Sequence, residues 1–293
     1  MKAAVFDYIR ADSLGHVLTL LNEVGADAKL IAGGQSLVPM MAMRFARPSL
    51  LIDINRLSDL KNIEERNGFF RIGACVRQVE VEVSKQISEG LPLLSKAMKW
   101  VGHAQTRNRG TIGGSVAYAD PSAELPLASA VLGASMHLES EGEGRRVVIA
   151  DDFFLGPMST SINETECLID IDFPVWQGKR IGSAFLEVAM RKGDFAMASA
   201  ACQLQLNADQ SVSKISIGLG GVDGFPKVFT RLAGQAIGQR LNSDLAKEIA
   251  NSAASECDPG GDIHVSAKFR RNLAIVLLER AMIEAVADAA KAG

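Results

Sequence analysis

The sequence predicts an α+β protein of two domains, and three observations lead to this prediction. The chain has 293 residues, which is about twice the usual length of a single domain. Helical patterns and short apolar strands are mixed in the first half, whereas the second half begins with alternating strands and ends in helices. Around residues 174–182 the periodicity lapses and basic and glycine residues gather, so we place the domain boundary there.

Capping residues and apolar spacing predict the elements of the first half. Ser13 offers an N-cap oxygen to an amphipathic helix, which Gly25 ends. The remaining predictions rest on the spacing of apolar residues. They are strands over residues 28–32, 49–54 and 69–76, helices over 79–101 (broken near Gly90) and 121–132, and a hairpin formed by residues 134–138 and 146–150.

The second half has a different pattern. Residues 197–206 and 212–219 alternate like antiparallel strands around a polar turn at 207–210. From Thr230 onward three helical segments follow, the last over residues 266–289. These strands and helices predict that the second domain is also α+β.

Composition excludes several classes of partner. The chain has 31 Lys and Arg against 34 Asp and Glu, a net charge of −3, so no bulk positive field is available for nucleic acid. No apolar stretch is long enough to span a membrane, and Asp7 comes before any secretory apolar segment. The four cysteines are widely spaced, which suits a reduced compartment. We therefore expect a cytoplasmic protein without a membrane span.

Two short glycine motifs are candidates for anion binding. Gly33 and Gly34, followed by Gln35 and Ser36, come directly after a predicted strand, and Gly113 and Gly114 are followed by Ser115. Backbone N–H groups in glycine turns can converge on an anion, although a single glycine pair is more often a tight turn. Two such turns at separate strand ends would suit the two charged groups of a diphosphate.

Two longer strings contain these motifs: IAGGQSLVPMMAMRFARPSLLIDI over residues 31–54 and RNRGTIGGSVAYADPSAELP over residues 107–126. Both closely resemble the FAD-binding medium subunit of molybdenum hydroxylases, the carbon monoxide dehydrogenase and xanthine dehydrogenase family. The similarity continues through residues 166–169 and 185–196. It implies an FAD-binding domain of vanillyl-alcohol-oxidase (PCMH) type over residues 1–176. A smaller α+β domain like the carbon monoxide dehydrogenase flavoprotein C-terminal domain would follow over 178–290.

The resemblance also implies a set of FAD-binding residues. Those that would wrap the pyrophosphate are Ile31, Ala32, Gly33, Gly34, Gln35, Ser36, Leu37, Thr111, Ile112, Gly113, Gly114 and Ser115. Asp120 and Glu124 would offer oxygens to ribose or ribityl hydroxyls, and Leu168 would lie against an apolar part of the cofactor. Phe195 would lie either near the isoalloxazine ring or in the core of the second domain. Some relatives have a lysine where this chain has Leu186 followed by Glu187, so a cationic contact from that position is not expected.

Other candidate sites have little support in the sequence. The four histidines have no metal-binding spacing, and the cysteines form no CxxC pair, so neither a metal site nor an iron–sulfur cluster is expected in this chain. His103 is either a covalent flavin anchor or, more simply, a surface or interface histidine. The glycines at 218–221 are either a second nucleotide site or a turn at the end of a strand.

The resemblance implies an FAD-carrying electron-transfer subunit of a molybdenum, iron–sulfur and flavin hydroxylase. A large subunit would carry the molybdenum cofactor and a small subunit two [2Fe–2S] clusters, as a dimer of heterotrimers. The FAD would pass electrons to an external acceptor while a small substrate, of the N-heteroaromatic type as in nicotine, quinoline or caffeine dehydrogenases, is hydroxylated. No residue of this chain need then be a catalytic acid or base. The alternatives are a self-contained FAD-dependent oxidoreductase and a scaffold or nucleotide-binding subunit without a working flavin.

Overall fold

The computed structural model describes residues 2–292. Its helices are α1 (Leu14–Val24), α2 (Leu37–Ala42), α3 (Gln78–Val83), α4 (Lys85–Gly90), α5 (Pro92–Met98), α6 (Ala104–Arg109), α7 (Ile112–Tyr118), α8 (Glu124–Leu132), α9 (Ala150–Phe153), α10 (Thr230–Ala233), α11 (Ser243–Ser255) and α12 (Ala267–Lys291). Its strands are β1 (Asp7–Arg10), β2 (Ala28–Ile31), β3 (Leu50–Asp53), β4 (Ile63–Arg66), β5 (Phe69–Gly73), β6 (Ser135–Ser140), β7 (Gly144–Ile149), β8 (Phe154–Gly156), β9 (Ser159–Thr160), β10 (Cys167–Pro174), β11 (Ile181–Ala189), β12 (Ala196–Leu206), β13 (Val212–Gly220) and β14 (Lys227–Val228). Short 3-10 turns occur at Gly25–Asp27, Ser58–Leu60 and Gly234–Ala236.

The first sheet is parallel, with strand order β1-β3-β2. Helix α1 packs on it through Val17 and Leu21, and its ends are those predicted, since Ser13 accepts a hydrogen bond from the N–H of His16 and Gly25 follows the last turn. Strands β2 and β3 run in the same direction with Ile31 beside Asp53, so the chain leaves both at one edge. The first glycine motif is therefore placed at the carboxyl edge of this sheet.

The second sheet is antiparallel, with order β4-β5-β10-β6-β7. Its β6–β7 hairpin confirms the predicted one. Phe70, Ile72 and Phe173 are fully or almost fully buried between this sheet and the short helices. The predicted long helix over residues 79–101 is three helices, α3, α4 and α5, because the chain is extended at Ser84 as well as breaking after Gly90.

The third sheet is antiparallel, with order β11-β12-β13-β14, and includes the two predicted strands of the second half. Helix α12 covers one face, with α11 packed against α12, and α5 and α8 lie against the other face. All residues of α8 are buried, because β10 lies on one side of it and β12 and β13 on the other. Gly218 permits this contact, since a Cβ there would lie 2.5 Å from Val131 Cγ2. The glycines at 218–220 therefore serve strand packing against α8.

Among residues 2–292, no helix is long and apolar enough to cross a membrane.

Candidate FAD site

A cavity of about 1060 Å³ lies between the carboxyl edge of the first sheet, helix α7, the turn before α8, and the start of β12. All predicted site residues except Ile112 line it: Ile31, Ala32, Gly33, Gly34, Gln35, Ser36, Leu37, Thr111, Gly113, Gly114, Ser115, Asp120, Glu124, Leu168 and Phe195. Residues far apart in the sequence are thus brought together around one space. A cavity of this size is large enough for a dinucleotide.

The first glycine motif has backbone donors without acceptors. Among the hydrogen bonds of residues 2–292, none is donated by the backbone N–H groups of Gly33 to Ser36. Gly34 has φ +71°, a conformation that glycine adopts readily. Because backbone donors in folded proteins are almost always paired, these four amides in a cavity wall are ready to bind an anion.

The second glycine motif differs from its prediction. Gly113 and Gly114 lie inside helix α7, not in a turn at a strand end, because Thr111 caps the helix. The N–H groups at its start already have acceptors within the protein: Val76 O for Ile112 at 3.0 Å, Ala74 O for Gly113 at 3.0 Å and Thr111 Oγ1 for Gly114 at 3.0 Å. The prediction of a second glycine turn at a strand end is therefore wrong, since Gly113 and Gly114 are helical and their N–H groups are already paired.

The second motif contributes close helix packing and open cavity volume instead of hydrogen-bond donors. Ile112 is fully buried in the core and does not line the cavity. A Cβ on Gly113 would lie 2.4 Å from Ala74 Cβ, so this glycine lets α7 pack against the end of β5. Gly114 is exposed and lines the cavity, and beyond its own helix backbone the atoms nearest to a Cβ there would be those of the Thr111 side chain. The missing side chain of Gly114 thus keeps cavity volume open, and the Ser115 side chain adds a hydroxyl.

Two carboxyl groups follow α7. Asp120 is half-buried and accepts a hydrogen bond from the Ser122 N–H at 2.9 Å, and burial raises the pKa of its carboxyl. Glu124 is 7% exposed. Burial, with the charge of Asp120 adding to it, raises the pKa of Glu124 to about 7. Both residues line the cavity, so they can accept hydrogen bonds from ligand hydroxyls.

The apolar candidates have distinct positions. Leu168 is buried on β10 and forms part of the cavity wall. Phe195 is 68% exposed at the cavity edge, so its interpretation as a core residue is wrong. His103 is exposed and is not among the lining residues; its ring packs on Gly193, where a Cβ would lie 2.6 Å from the His103 Cε1. His103 is therefore a surface histidine that packs against the Gly193 loop.

Sequence reasoning missed several residues of the cavity wall. Arg270, near the start of α12, donates from Nη1 to Met197 O at 3.0 Å and to Gly221 O at 2.7 Å, and it pairs with Asp262. Glu166 is buried and forms a double ion pair with Arg146. No local pattern points to these residues, because most of their partners lie 20 or more residues away along the chain.

A second cluster of ligand-type side chains lies outside the cavity. One oxygen or nitrogen each of His137, Asp170 and Asp172 lie within 4.8 Å of one another. Arg71 binds Asp172 through two hydrogen bonds of 2.7 Å and lies 3.4 Å from Asp170 Oδ1. The guanidinium thus neutralises one of the two carboxylates and lies beside both.

Comparison with known proteins agrees with this geometry. Residues 4–176 match the family model of the FAD binding domain in molybdopterin dehydrogenase, and residues 183–285 match that of the CO dehydrogenase flavoprotein C-terminal domain. The chain is 37% identical to subunit alpha of the 6-hydroxypseudooxynicotine dehydrogenase complex of Paenarthrobacter nicotinovorans, over 98% of this chain and 96% of that one. It is 36% identical to the carbon monoxide dehydrogenase medium chain of Hydrogenophaga pseudoflava, over 94% and 96%.

Solved structures show the same relationship. Carbon monoxide dehydrogenase from Hydrogenophaga pseudoflava matches with a TM-score of 0.95 and 35% identity, over 98% of this chain and 99% of that chain. Quinoline 2-oxidoreductase from Pseudomonas putida 86 matches with a TM-score of 0.93 and 34% identity, over 99% of both chains. The protein therefore belongs to the family of FAD-binding medium subunits of molybdopterin-dependent dehydrogenases, and it is an FAD-dependent oxidoreductase subunit.

Proposed function

We propose that this chain is the electron-transfer subunit of a molybdenum hydroxylase and that its cavity holds the FAD. The observation that carries the proposal is the row of four free backbone amides, Gly33 to Ser36, in the wall of a cavity of dinucleotide size. A diphosphate supplies the acceptors that these donors lack. The residues present thus fit FAD.

The other lining residues would make the remaining contacts with the cofactor. The absent side chain of Gly114 leaves room for the cofactor, and Ser115 can donate to a phosphate oxygen. Asp120 and Glu124 would bind ribose or ribityl hydroxyls, and Leu168 would contact an apolar part. Phe195, exposed at the cavity edge, would lie near the ring system.

When bound, FAD supplies the exchange between one-electron carriers and a two-electron acceptor. The chain itself binds and orients the cofactor and shields it from water. Burial of Glu124 and Leu168 keeps part of the cavity wall dry, while the exposed Phe195 marks the side open to an external acceptor.

We also propose the partners and the surrounding assembly. A large molybdopterin subunit and a small subunit with two [2Fe–2S] clusters would join this chain, as a dimer of heterotrimers in the cytoplasm. The medium-chain relatives, matched over nearly their full length, support this proposal.

The domain boundary and the substrate are further parts of the proposal. The FAD domain would extend over residues 1–176 and the C-terminal domain over 178–290. The substrate of the complex would be a small N-heteroaromatic compound. This class is supported by similarity to caffeine dehydrogenase subunit beta of Pseudomonas sp. strain CBB1, 36% identical, and to quinoline 2-oxidoreductase.

A complex containing Gly114→Val tests the electron-transfer role. The variant should assemble with its molybdenum and iron but without FAD. Substrate should then still reduce the iron–sulfur clusters, while transfer to the physiological acceptor is lost. If the FAD-free complex passed electrons to that acceptor at the normal rate, the proposed role would be wrong. Substrate turnover by the isolated medium subunit would favour a self-contained oxidoreductase.

A further inference from the structure

Glu187 is a buried acid that the proposed cofactor binding does not use. It lies on β11, is 6% exposed and does not line the cavity. It faces the same side of the sheet as Phe185, whose side chain is in the core with α8. Its Oε2 atom is buried without a hydrogen-bond partner. A buried charge with no partner is costly, so this carboxyl needs a compensating group.

The neighbouring strands bring Glu187 toward Glu124. Glu187 pairs with Ser199 across β11 and β12, and the Ser199 Oγ atom is also buried without a partner. A Cβ on Gly220 would lie 2.6 Å from Ser199 Oγ and 3.3 Å from Leu127 Cδ2, so α8 covers this strand pair. Glu124 is one turn before Leu127 and shares its side of the helix. The two glutamates thus face one buried space.

Within the part of the chain that the structure describes, the charged side chains around this space offer no unpaired cation that could neutralise Glu124 and Glu187. On the turn before α8 the titratable neighbour is Asp120, another acid. On α5, Lys96 pairs with Asp288 at 2.6 Å, and on α12 Arg270 pairs with Asp262. The facing residues of β12 and β13, Ser199 and Gly220, carry no charge. Among residues 2–292, no positive charge shifts the titration of either glutamate.

We propose that Glu124 and Glu187 share one proton at neutral pH and form a proton-storing site in the wall of the FAD cavity. Two carboxylates enclosed together cannot both ionise at low cost, so one proton takes the place of the missing cation. Burial, with the charge of Glu124 adding to it, raises the pKa of Glu187 to about 8. The pKa of Glu124 is raised to about 7, mainly by burial. The pair titrates as a unit.

The position of Glu124 couples this site to the cofactor, a step that rests on the proposed function. Glu124 lines the cavity, so negative charge arriving there with electrons makes the pair more basic. The pair then takes up a second proton from solvent and releases it when the electrons leave. The step is a proton transfer alone: one O–H bond breaks on a hydronium ion and one forms on a carboxylate oxygen.

Infrared spectroscopy of the full chain, with and without added FAD, tests the stored proton. The wild type should show the carbonyl stretch of a protonated carboxyl group at pH 7, and this band should disappear as the pH rises above 8. Glu187→Gln should weaken the band at pH 7, since only the Glu124 carboxyl, whose pKa burial raises to about 7, is then left to contribute to it. The matched control is Glu164→Gln, an exposed acid lining the same cavity, which should keep the band.

The absence of a pH-dependent protonated-carboxyl band in the wild type would overturn the proposal, as would a band that Glu187→Gln leaves unchanged. If Glu187→Gln fails to fold, the wild-type titration and Glu124→Gln give the same test. The FAD-free spectra test the pair even if the chain binds no FAD, a result that would contradict the proposed function separately. With FAD bound, chemical reduction should take up one proton fewer in the double variant Glu124→Gln/Glu187→Gln, which has no carboxyl of the pair left to protonate, measured with a pH indicator; equal uptake would refute the coupling.

Discussion

Gly33 and Gly110 lie backbone to backbone: a Cβ on Gly33 would be 2.8 Å from the Gly110 Cα and 2.4 Å from the carbonyl oxygen of Arg109. Arg77 reinforces this contact by donating to the Arg109 carbonyl oxygen and, at 2.7 Å, to Asn55 Oδ1. The end of the first sheet and the segment leading into α7 therefore form one wall. In this wall Gly33 serves protein packing, whereas Gly114 faces the cavity.

Gly114→Val should abolish FAD retention while leaving the chain folded. Outside the backbone of its own helix, the nearest atom to this Cβ would be Thr111 Oγ1, at 2.6 Å, and the rest of the side chain would enter the cavity. Disturbing the Thr111 cap should cost about 1 kcal/mol of unfolding free energy. Flavin content after reconstitution and the melting temperature measure both effects. Gly142→Val is the control, since a Cβ there meets nothing within 4 Å; normal flavin content in Gly114→Val would contradict the site.

Gly33→Val should instead destabilise the wall itself. Its Cβ would overlap backbone atoms of Arg109 and Gly110, which cannot move aside as a flexible side chain can. Overpacking of this kind costs about 1–3 kcal/mol, and backbone overlap places the effect at the upper end. Chemical denaturation of the FAD-free chain measures it, because loss of stability without ligand separates packing from binding. Unchanged stability of the FAD-free variant would show that the two segments are not packed together.

His103→Ala should leave the flavin content unchanged. The His103 ring packs on the Gly193 loop and is outside the cavity lining, so it is not placed to form a covalent bond to a flavin there. An exposed substitution of this kind changes stability by about 0.5 kcal/mol or less. Acid precipitation of the wild type should release all flavin into the supernatant. Flavin that stays with the precipitated wild type but not with His103→Ala would identify His103 as an anchor.

Loss of the Arg146–Glu166 ion pair should lower the free energy of unfolding in acid. Burial alone would raise the pKa of Glu166, but hydrogen bonds from Arg146 and the Asn163 N–H hold it below its usual value of 4.5. Because the folded pKa is the lower one, the stabilisation is present above pH 4.5 and is lost as the pH falls through the folded pKa.

Glu166→Gln tests this ion pair. The variant should lose about 1–3 kcal/mol of unfolding free energy at pH 7, and its stability should fall less steeply below pH 4.5. Melting temperatures from pH 3 to 7 check this, with the exposed neighbour Glu164→Gln as the control. A parallel acid dependence in Glu166→Gln and the wild type would contradict the assigned role of the pair.

Local signals predicted much of the fold. Ser13 and Gly25 fixed the ends of α1, and the hairpin and the strands of the second half were visible as alternation. The helix containing Gly113 and Gly114 was not predicted, because adjacent glycines disfavour helix interiors. Tertiary contacts override that preference: Thr111 caps the helix, and Gly113 fits against Ala74.

The site was predictable only where a motif is contiguous. The resemblance identified both glycine motifs together with Asp120, Glu124 and Leu168, which the fold assembles around one cavity. Glu187 and Arg270 lie far along the chain from those motifs, and their roles depend on the packing of the third sheet against α8 and α12. The different roles of the two glycine motifs could be recognised only from the hydrogen bonds, since the sequence alone does not show which amides are already paired.

Purification of the native complex through a tag on this chain tests the proposed function most directly. Quantified FAD, molybdenum and iron, together with the subunit composition, give the result in one preparation. We expect one FAD per copy of this chain, a large and a small partner, molybdenum, iron, and flavin absorbance that bleaches on addition of a reductant. A chain that is isolated alone, yellow and active with an added reductant would contradict the electron-transfer role and favour a self-contained oxidoreductase.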